Sequence, residues 1–398
     1  MADELISVPD AKRIVLESVN VLSPVHYSLM EAAGLTLAEN IYAPVSIPAF
    51  AQSSMDGYAL LFDDLQNNES LLLKGEMAAG SKQQLMLAPQ TVARVFTGAP
   101  IPTGADTVVM QEKVTMKDGR LYVNDARLEK GMNVRLPGSE ISQGELAATK
   151  NSSLSASAIG FLAGMGITGV SVYPPPAITI IVTGNELVAP GTPLGMGQVY
   201  ESNSFSLRAA LKQMQISRVQ VAQVEDNLQA LMNRLQLALQ ESDVVFLTGG
   251  VSVGEYDFVA AAARQAGVAT IFHKIRQRPG KPLFLGRKEH KLVFGLPGNP
   301  ASVMTCFYEY VEPALRKMCK QNTGIRVMEV PLSASFNKPA GLTHFLKGWY
   351  DGEKVKPLNA QESFRLSSFA RANCLIRFDE AMTQCNEGEM VEIHLLPS

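Results

Sequence analysis

Beyond Ala177 the chain alternates between two hydrophobic periods. Ile178 to Val182, Val219 to Val224, Val244 to Leu247 and Leu292 to Gly295 are short runs rich in β-branched and aromatic residues. Runs of this kind read as strands of a sheet buried on its faces. Between them, Asn203 to Gln213 and Asn227 to Leu239 space their apolar residues three and four apart, as amphipathic helices do. A further helix is read from Ala301 to Lys317. Such strand–helix alternation predicts a three-layer α/β domain with a mostly parallel sheet. Ligands of such sheets sit outside the carboxyl ends of the strands.

The residues before this region pattern differently. Pro9 to Val19 carries apolar residues at Ala11, Ile14, Val15 and Val19 behind a capping Ser7, which predicts a short amphipathic helix. A second helical piece is read from Ser28 to Glu39. Tyr58 to Phe62, Leu71 to Leu73, Thr91 to Phe96, Thr107 to Gln111 and Arg120 to Val123 are short β-rich runs separated by turns. They predict a small β domain inserted in an α-richer region, to which the chain returns through a helix from Ser155 to Gly164. From Arg326 onward, β-type runs recur with Pro and Gly turns and no long helix, so the tail reads as a small all-β domain.

A chain of 398 residues exceeds what one core organises; at about 150 residues per domain it predicts roughly two to four domains. With 46% hydrophobic and 18% charged residues it has core to spare and is not a disordered chain. Its net charge of −3 creates no field that would recruit nucleic acid or an anionic membrane, so any anion must be bound locally. Cys306, Cys319, Cys374 and Cys385 show no CxxC pairing and are expected to be reduced thiols. The N-terminus lacks a basic and then apolar leader, and Leu154 to Val172 is too polar for a membrane span, so a cytoplasmic protein is expected.

The candidate chemistry lies in the loops. The strand ending at Leu247 breaks into Thr248-Gly249-Gly250-Val251-Ser252-Val253-Gly254-Glu255-Tyr256-Asp257, ahead of a helix. Glycines free backbone N–H groups to face an anion, and the positive helix end favours phosphate there. Taken alone, this turn serves as readily as a tight structural reversal. It is not a Walker A loop, because no Gly-Lys-Ser/Thr follows. Glu186, after the first strand, and Asp226, after the second, are placed at the same sheet rim as Asp257. Lys274, Arg276, Arg278 and Lys281 follow within a stretch stiffened by Pro279, Gly280 and Pro282. A basic run is ordinarily a solvated face, and Arg276 keeps that reading. Lys274, Arg278 and Lys281 are fixed well enough to hold one ligand. Asp56-Gly57 read by itself is a turn, and Thr97 is presented by a rigid Pro- and Gly-rich segment. Acids and cations around glycine loops suit a phosphate ester or anhydride held through Mg²⁺. Ser252 has no evident His-Asp partners, and the five histidines fit no metal motif.

Taken together, Ser54-Met55-Asp56-Gly57-Tyr58-Ala59, Thr97-Gly98-Ala99, Thr183-Gly184-Asn185-Glu186-Leu187, Gly249 to Asp257, Arg278-Pro279-Gly280-Lys281-Pro282 and Gly295-Leu296-Pro297-Gly298-Asn299-Pro300 resemble, in order, the molybdopterin molybdenumtransferases, relatives of the C-terminal domain of gephyrin. The resemblance implies a discontinuous elongated N-terminal domain (1–46 and 137–174), an inserted β domain (47–136), an α/β molybdopterin-binding domain (175–322) and a barrel-like C-terminal β domain (323–398). It implies Mg²⁺-dependent reaction of adenylylated molybdopterin with molybdate to give molybdenum cofactor and AMP. It also implies a homodimer, with Asp56 and Thr97 acting across it, and transient contact with other proteins of the same pathway.

By position the resemblance assigns catalytic places to Asp56, Thr97, Glu186, Asp226, Asp257, Lys274, Arg278 and Lys281, with Asp257, Glu186 and Asp56 at the metal. Gly249, Gly250, Ser252, Gly254, Pro297, Gly298, Pro300, Ser302 and Glu140 take substrate-binding places. Three positions depart from the family pattern: Glu140 stands where aspartate is common, Arg278 where lysine is frequent, and Lys347 in place of an arginine. Two other functions fit parts of the chain, adenylylation of molybdopterin by the α/β domain alone and a non-catalytic scaffold like gephyrin.

Overall fold

Ile178–Thr183 and Val244–Thr248 are buried along their whole length, and they pair side by side and parallel at the centre of a six-stranded sheet. The computed structural model describes residues 5–249 and 258–397. The sheet runs in the order Val219–Val224, Ile178–Thr183, Val244–Thr248, Lys291–Leu296, Pro282–Lys288, Ala269–Lys274; the first four are parallel, Pro282–Lys288 is antiparallel to both its neighbours, and Ala269–Lys274 again runs with the first four. Side chains alternate between two apolar layers. Ile180, Val182, Val244 and Phe246 pack with Leu207, Leu211, Val303 and Phe307 on one face. Ile181, Val245 and Leu247 pack with Leu231, Leu235, Val259 and Ala262 on the other. Each such side chain contributes roughly 1.5–3 kcal/mol on leaving water; the polar residues in these runs are the buried threonines Thr179, Thr183 and Thr248.

The flanking helices begin where local chemistry permits. Asn227 caps Leu228–Glu241, its side chain accepting from Ala230 N at 2.8 Å, and Ser7 caps Val8–Glu17 by accepting from Asp10 N. Two expectations need correction. The helix read from Ala301 to Lys317 is three pieces: Pro300–Cys306, a π-helical turn Phe307–Val311, and Glu312–Met318. Pro313 has no N–H to give the carbonyl four residues back, and the wider turn lies at that gap. The helix read from Ser28 to Glu39 is only Leu29–Ala32, closed at its start by the Ser28–Glu31 capping box. Gly34, at φ +81°, turns the chain out of the helix before the short strand Thr36–Leu37.

The chain divides into two compact units, one of Met1–Val25, Gly34–Thr36 and Ser171–Ser398, the other of His26–Ala33 and Leu37–Val170. In the first, a mainly antiparallel sheet orders Gln277–Arg278, Thr343–Tyr350, Cys374–Phe378, Met390–Leu395 and Val327–Pro331. Phe345, Phe369 and Leu375 of this C-terminal part enter the same apolar core as Phe307 and Val311, so the two regions share packing. In the second unit, six strands run in the order Thr107–Met110, Gly57–Leu60, Thr91–Val95, Leu71–Met77, Arg120–Val123, Val114–Lys117. A side chain at Gly57 would overlap the Val109 carbonyl oxygen of the neighbouring strand, which explains the glycine after Asp56. The four cysteines are buried and unpaired. Among the described residues no helix is long and apolar enough to cross a membrane.

Candidate functional site

Parallel registry aligns the carboxyl ends of four strands. Thr183 lies beside Val224, Val182 beside Thr248, and Thr248 beside Leu296. The loops carrying Glu186, Asp226, Gly249 and Pro297 therefore leave one edge. Within this sheet the strand that comes first along the chain lies between those that come second and third, so connections diverge on either side of Ile178–Thr183, where a crevice opens in such sheets. Asp226 is tied to this point: Thr183 Oγ1 donates to its carboxylate at 3.3 Å, and its own N–H donates to Asn185 Oδ1 at 3.2 Å. The Asp226 and Glu186 side chains face solvent. Thr248 Oγ1 is buried at the same edge with no hydrogen-bond partner. This donor set is all oxygen and carries two open carboxylates, which suits a hard divalent cation.

The antiparallel strands bring cations to this edge. Lys274 ends its strand opposite Pro282, which begins the next, and Phe284 pairs with Gly295 one residue before Leu296. The turn from Ile275 to Lys281 therefore sits at the carboxyl edge too. Arg278 and Lys281 are exposed there, and Lys274 is half-buried. Arg276 turns away, donating to Glu380 at 2.9 Å and to the Leu5 carbonyl at 2.6 Å. It is partly exposed but paired, and it is not part of the rim. The Pro297–Ser302 segment is braced from two sides. Asn203 Nδ2 donates to the Gly298 carbonyl at 2.9 Å, while Asn299 Nδ2 and Ala301 N donate to Ser363 Oγ and O. Pro300 opens its helix where no N–H is needed, and Ser302 is buried in its first turn.

In the other unit Asp56 and Thr97 meet. Thr97 N and Oγ1 both donate to Asp56 Oδ1, at 2.8 and 2.9 Å. These bonds, the backbone one foremost, hold the exposed carboxyl below the usual aspartate range. Ser53 N to Ala99 O and Gly98 N to Ser53 O stitch the two loops together. Glu140 is exposed in the same unit. Asp257, Gly250, Ser252 and Gly254 lie outside the described residues. Among the described residues no three His, Cys, Asp or Glu side chains gather to hold a metal ion.

Reading the sequence named Lys347 only as a departure from the family pattern and missed its bracing role, along with the Glu309–His394 pairing. Lys347, buried in its strand, donates to the carbonyls of Ala360, Glu362 and Arg365 at 2.8, 3.2 and 3.1 Å. It thus folds the loop that presents Ser363. Desolvation foremost pulls its ammonium below the ordinary lysine value. Glu309, on the π turn, pairs with Lys12 and with His394 Nδ1 at 2.7 Å, while His394 Nε2 lies 2.7 Å from Glu392.

Comparison with known families places three matches end to end: MoeA N-terminal region (domain I and II) over residues 6–166, a probable molybdopterin binding domain over 179–317, and MoeA C-terminal region (domain IV) over 329–396. The chain is 32% identical to a molybdopterin molybdenumtransferase of Haemophilus influenzae, covering 98% of this chain and 100% of that one. It is 32% identical to one from Nostoc, covering 93% and 88%. Its fold is similar to that of a molybdopterin biosynthesis MoeA protein from Pyrococcus horikoshii, with a TM-score of 0.84 at 28% identity over 99% and 100% of the two chains.

Proposed function

The chain belongs to the molybdopterin molybdenumtransferase family, and from that premise we propose that it inserts molybdate into adenylylated molybdopterin and releases AMP, with Mg²⁺ as cofactor. The observation that supports this reading is the shared edge, with the Glu186 and Asp226 carboxylates and the Arg278–Lys281 turn on loops leaving one side of one sheet. Glu186, with Asp257 and Asp56, holds the metal. When bound, Mg²⁺ neutralises charge on the phosphoanhydride oxygens. Lys274, Arg278, Lys281 and Ser302 hold molybdate or the pterin's terminal phosphate, each cation offsetting oxyanion charge. Arg278 offers a planar fork suited to two oxygens at once. The backbone around Gly249 and the Pro297–Pro300 turn line the substrate.

The protein works in the cytoplasm as a homodimer, and Asp56 and Thr97 serve the partner's sheet. Purified protein given adenylylated molybdopterin, Mg²⁺ and molybdate releases AMP. No release, or consumption of ATP without molybdate, overturns the assignment. Asp257→Ala and Asp56→Ala are each inactive alone and regain activity on mixing; failure to complement removes the dimer-shared site.

A further inference from the structure

The cationic turn is short, lies in the open, and carries two like charges three residues apart, so something must hold its backbone. Gln277 does so from inside. Its side chain is completely buried, and Nε2 donates to the carbonyls of Pro279 at 3.0 Å and Gly280 at 3.2 Å, the two residues between Arg278 and Lys281. The same amide nitrogen touches Cys306 Sγ at 3.6 Å. The other end of the amide is taken too, because Tyr310 OH donates to Gln277 Oε1. Tyr310 is fully buried on the π-helical turn, next to Glu309, which is held by Lys12 and His394.

The close approach of the turn to the helix fixes the geometry further. Gly280 adopts φ +87°, and a Cβ there would fall 2.6 Å from Cys306 Sγ and 2.8 Å from Gln277 Nε2. The helix that carries Cys306 and continues into the Tyr310 turn is the one that presents Ser302. One amide thus links the Arg278–Lys281 turn to the element bearing the other oxyanion group.

We infer that Gln277 and Tyr310 are a positioning pair that holds Arg278 and Lys281 in register with Ser302 for the oxyanion, without touching it themselves. The inference rests on the oxyanion role given to Arg278 and Lys281 above. An amide with both ends engaged in a dry interior has one orientation, and two carbonyls that would otherwise be free to turn are pinned by it. Loosening them leaves the charges present but misplaced, which weakens capture of a small tetrahedral anion before it affects chemistry on an anion already bound.

The test uses the full-length protein, AMP release at varied molybdate, and urea unfolding of the same samples. Gln277→Met keeps the side-chain volume and removes the clasp, and Tyr310→Phe removes its brace. Each single variant raises the KM for molybdate, Gln277→Met by roughly tenfold, since it removes both buried hydrogen bonds to the turn. kcat changes less than twofold, and each lowers the urea midpoint because a buried polar group has lost its partner. In the double variant the Gln277 amide and the Tyr310 hydroxyl are both gone, so neither side chain is left unpaired and the midpoint recovers part of the way, the Pro279 and Gly280 carbonyls still lacking their donor. The raised KM does not recover, because the turn is still unclasped.

A KM that returns with the midpoint makes the pair purely structural and overturns the inference, as does a KM within twofold of the parent in Gln277→Met. Lys281→Ala reads the underlying assignment separately. If it leaves the molybdate KM unchanged, the oxyanion role of the turn is wrong and the inference falls with it. If it raises that KM while Gln277→Met does not, the positioning pair alone is wrong.

Discussion

A single methyl group at Gly249 tests the placement of the glycine loop. Gly249 follows the Val244–Thr248 strand at φ +87°, a region that costs an L-residue roughly 1–2 kcal/mol. A Cβ there would also run into the Thr183 carbonyl oxygen and come within 3.1 Å of Thr183 Oγ1. Thr183 is the buried last residue of the adjacent parallel strand and donates to Asp226, so it cannot retreat without moving that carboxylate. Forced overpacking of this kind adds roughly 1–3 kcal/mol. Gly249→Ala therefore costs roughly 2–5 kcal/mol if the loop stays, more than tenfold in the folding equilibrium. If the loop instead swings clear of Thr183, the fold is spared and the site is lost. Urea unfolding followed by far-ultraviolet circular dichroism reads the first outcome, and AMP release reads the second. Gly298→Ala is the control, because a Cβ at that position meets nothing within 4 Å and leaves the midpoint within about 0.5 kcal/mol of the parent. A Gly249→Ala protein with parental midpoint and parental rate refutes the claim that this backbone approach shapes the site.

Thr97→Val removes one of two donors to Asp56 Oδ1, so the Asp56 carboxyl titrates higher than in the parent while the Thr97 backbone bond keeps it below the ordinary value; carboxyl NMR titration checks this, and an unmoved Asp56 contradicts it. Lys347→Met leaves the carbonyls of Ala360, Glu362 and Arg365 without their ammonium and destabilises the protein by roughly 2–4 kcal/mol, with new protease cleavage between 358 and 366; equal midpoints and unchanged digestion count against the cage. Two histidines give stability opposite pH slopes. His394 faces Glu309 and Glu392, with Lys12 and Arg377 beyond them; although burial opposes its charge, the carboxylates outweigh it and raise its folded value above the unfolded value near 6.5. Its contribution is complete below that pH and is lost as pH rises through the higher folded value. Burial, with Lys338 and Arg278 adding to it, pushes His344 down to about 4, so its contribution falls as pH drops from about 6.5 towards 4. Urea midpoints across pH 4–9 show both slopes, His394→Gln flattening the upper and His344→Gln the lower; profiles identical to the parent overturn these assignments.

What could be read from the chain follows from the range over which each physical cause acts. Burial on both faces leaves a local mark, so Ile178–Val182 and Val244–Leu247 announce themselves, and so does Ser7, whose cap reaches only three residues ahead; Asn227 and Ser155, read as helix starts, are caps of the same kind. The antiparallel pair Ala269–Lys274 and Pro282–Lys288 is hidden because its inner ends carry the charges and prolines of the turn between them. The π turn is hidden for a different reason: Pro313 acts on the carbonyl four residues earlier, where the hydrophobic spacing continues undisturbed. Chemistry at the site divides in the same way. Lys347 and Arg278 are both cations on paper, yet one is spent on three backbone carbonyls and the other stands open at the rim, and only the course of the Leu358–Arg365 loop decides between them. Arg276 and Arg278 flank Gln277, but the Glu380 carboxylate, 104 residues away, takes the first. A charge in the sequence specifies what a side chain would do at an oxyanion. Whether it is available to do so is set by strand registry, which brings Lys274 opposite Pro282 across a hairpin and Thr248 beside Leu296 from 48 residues further on, and thereby turns separate loops into one edge.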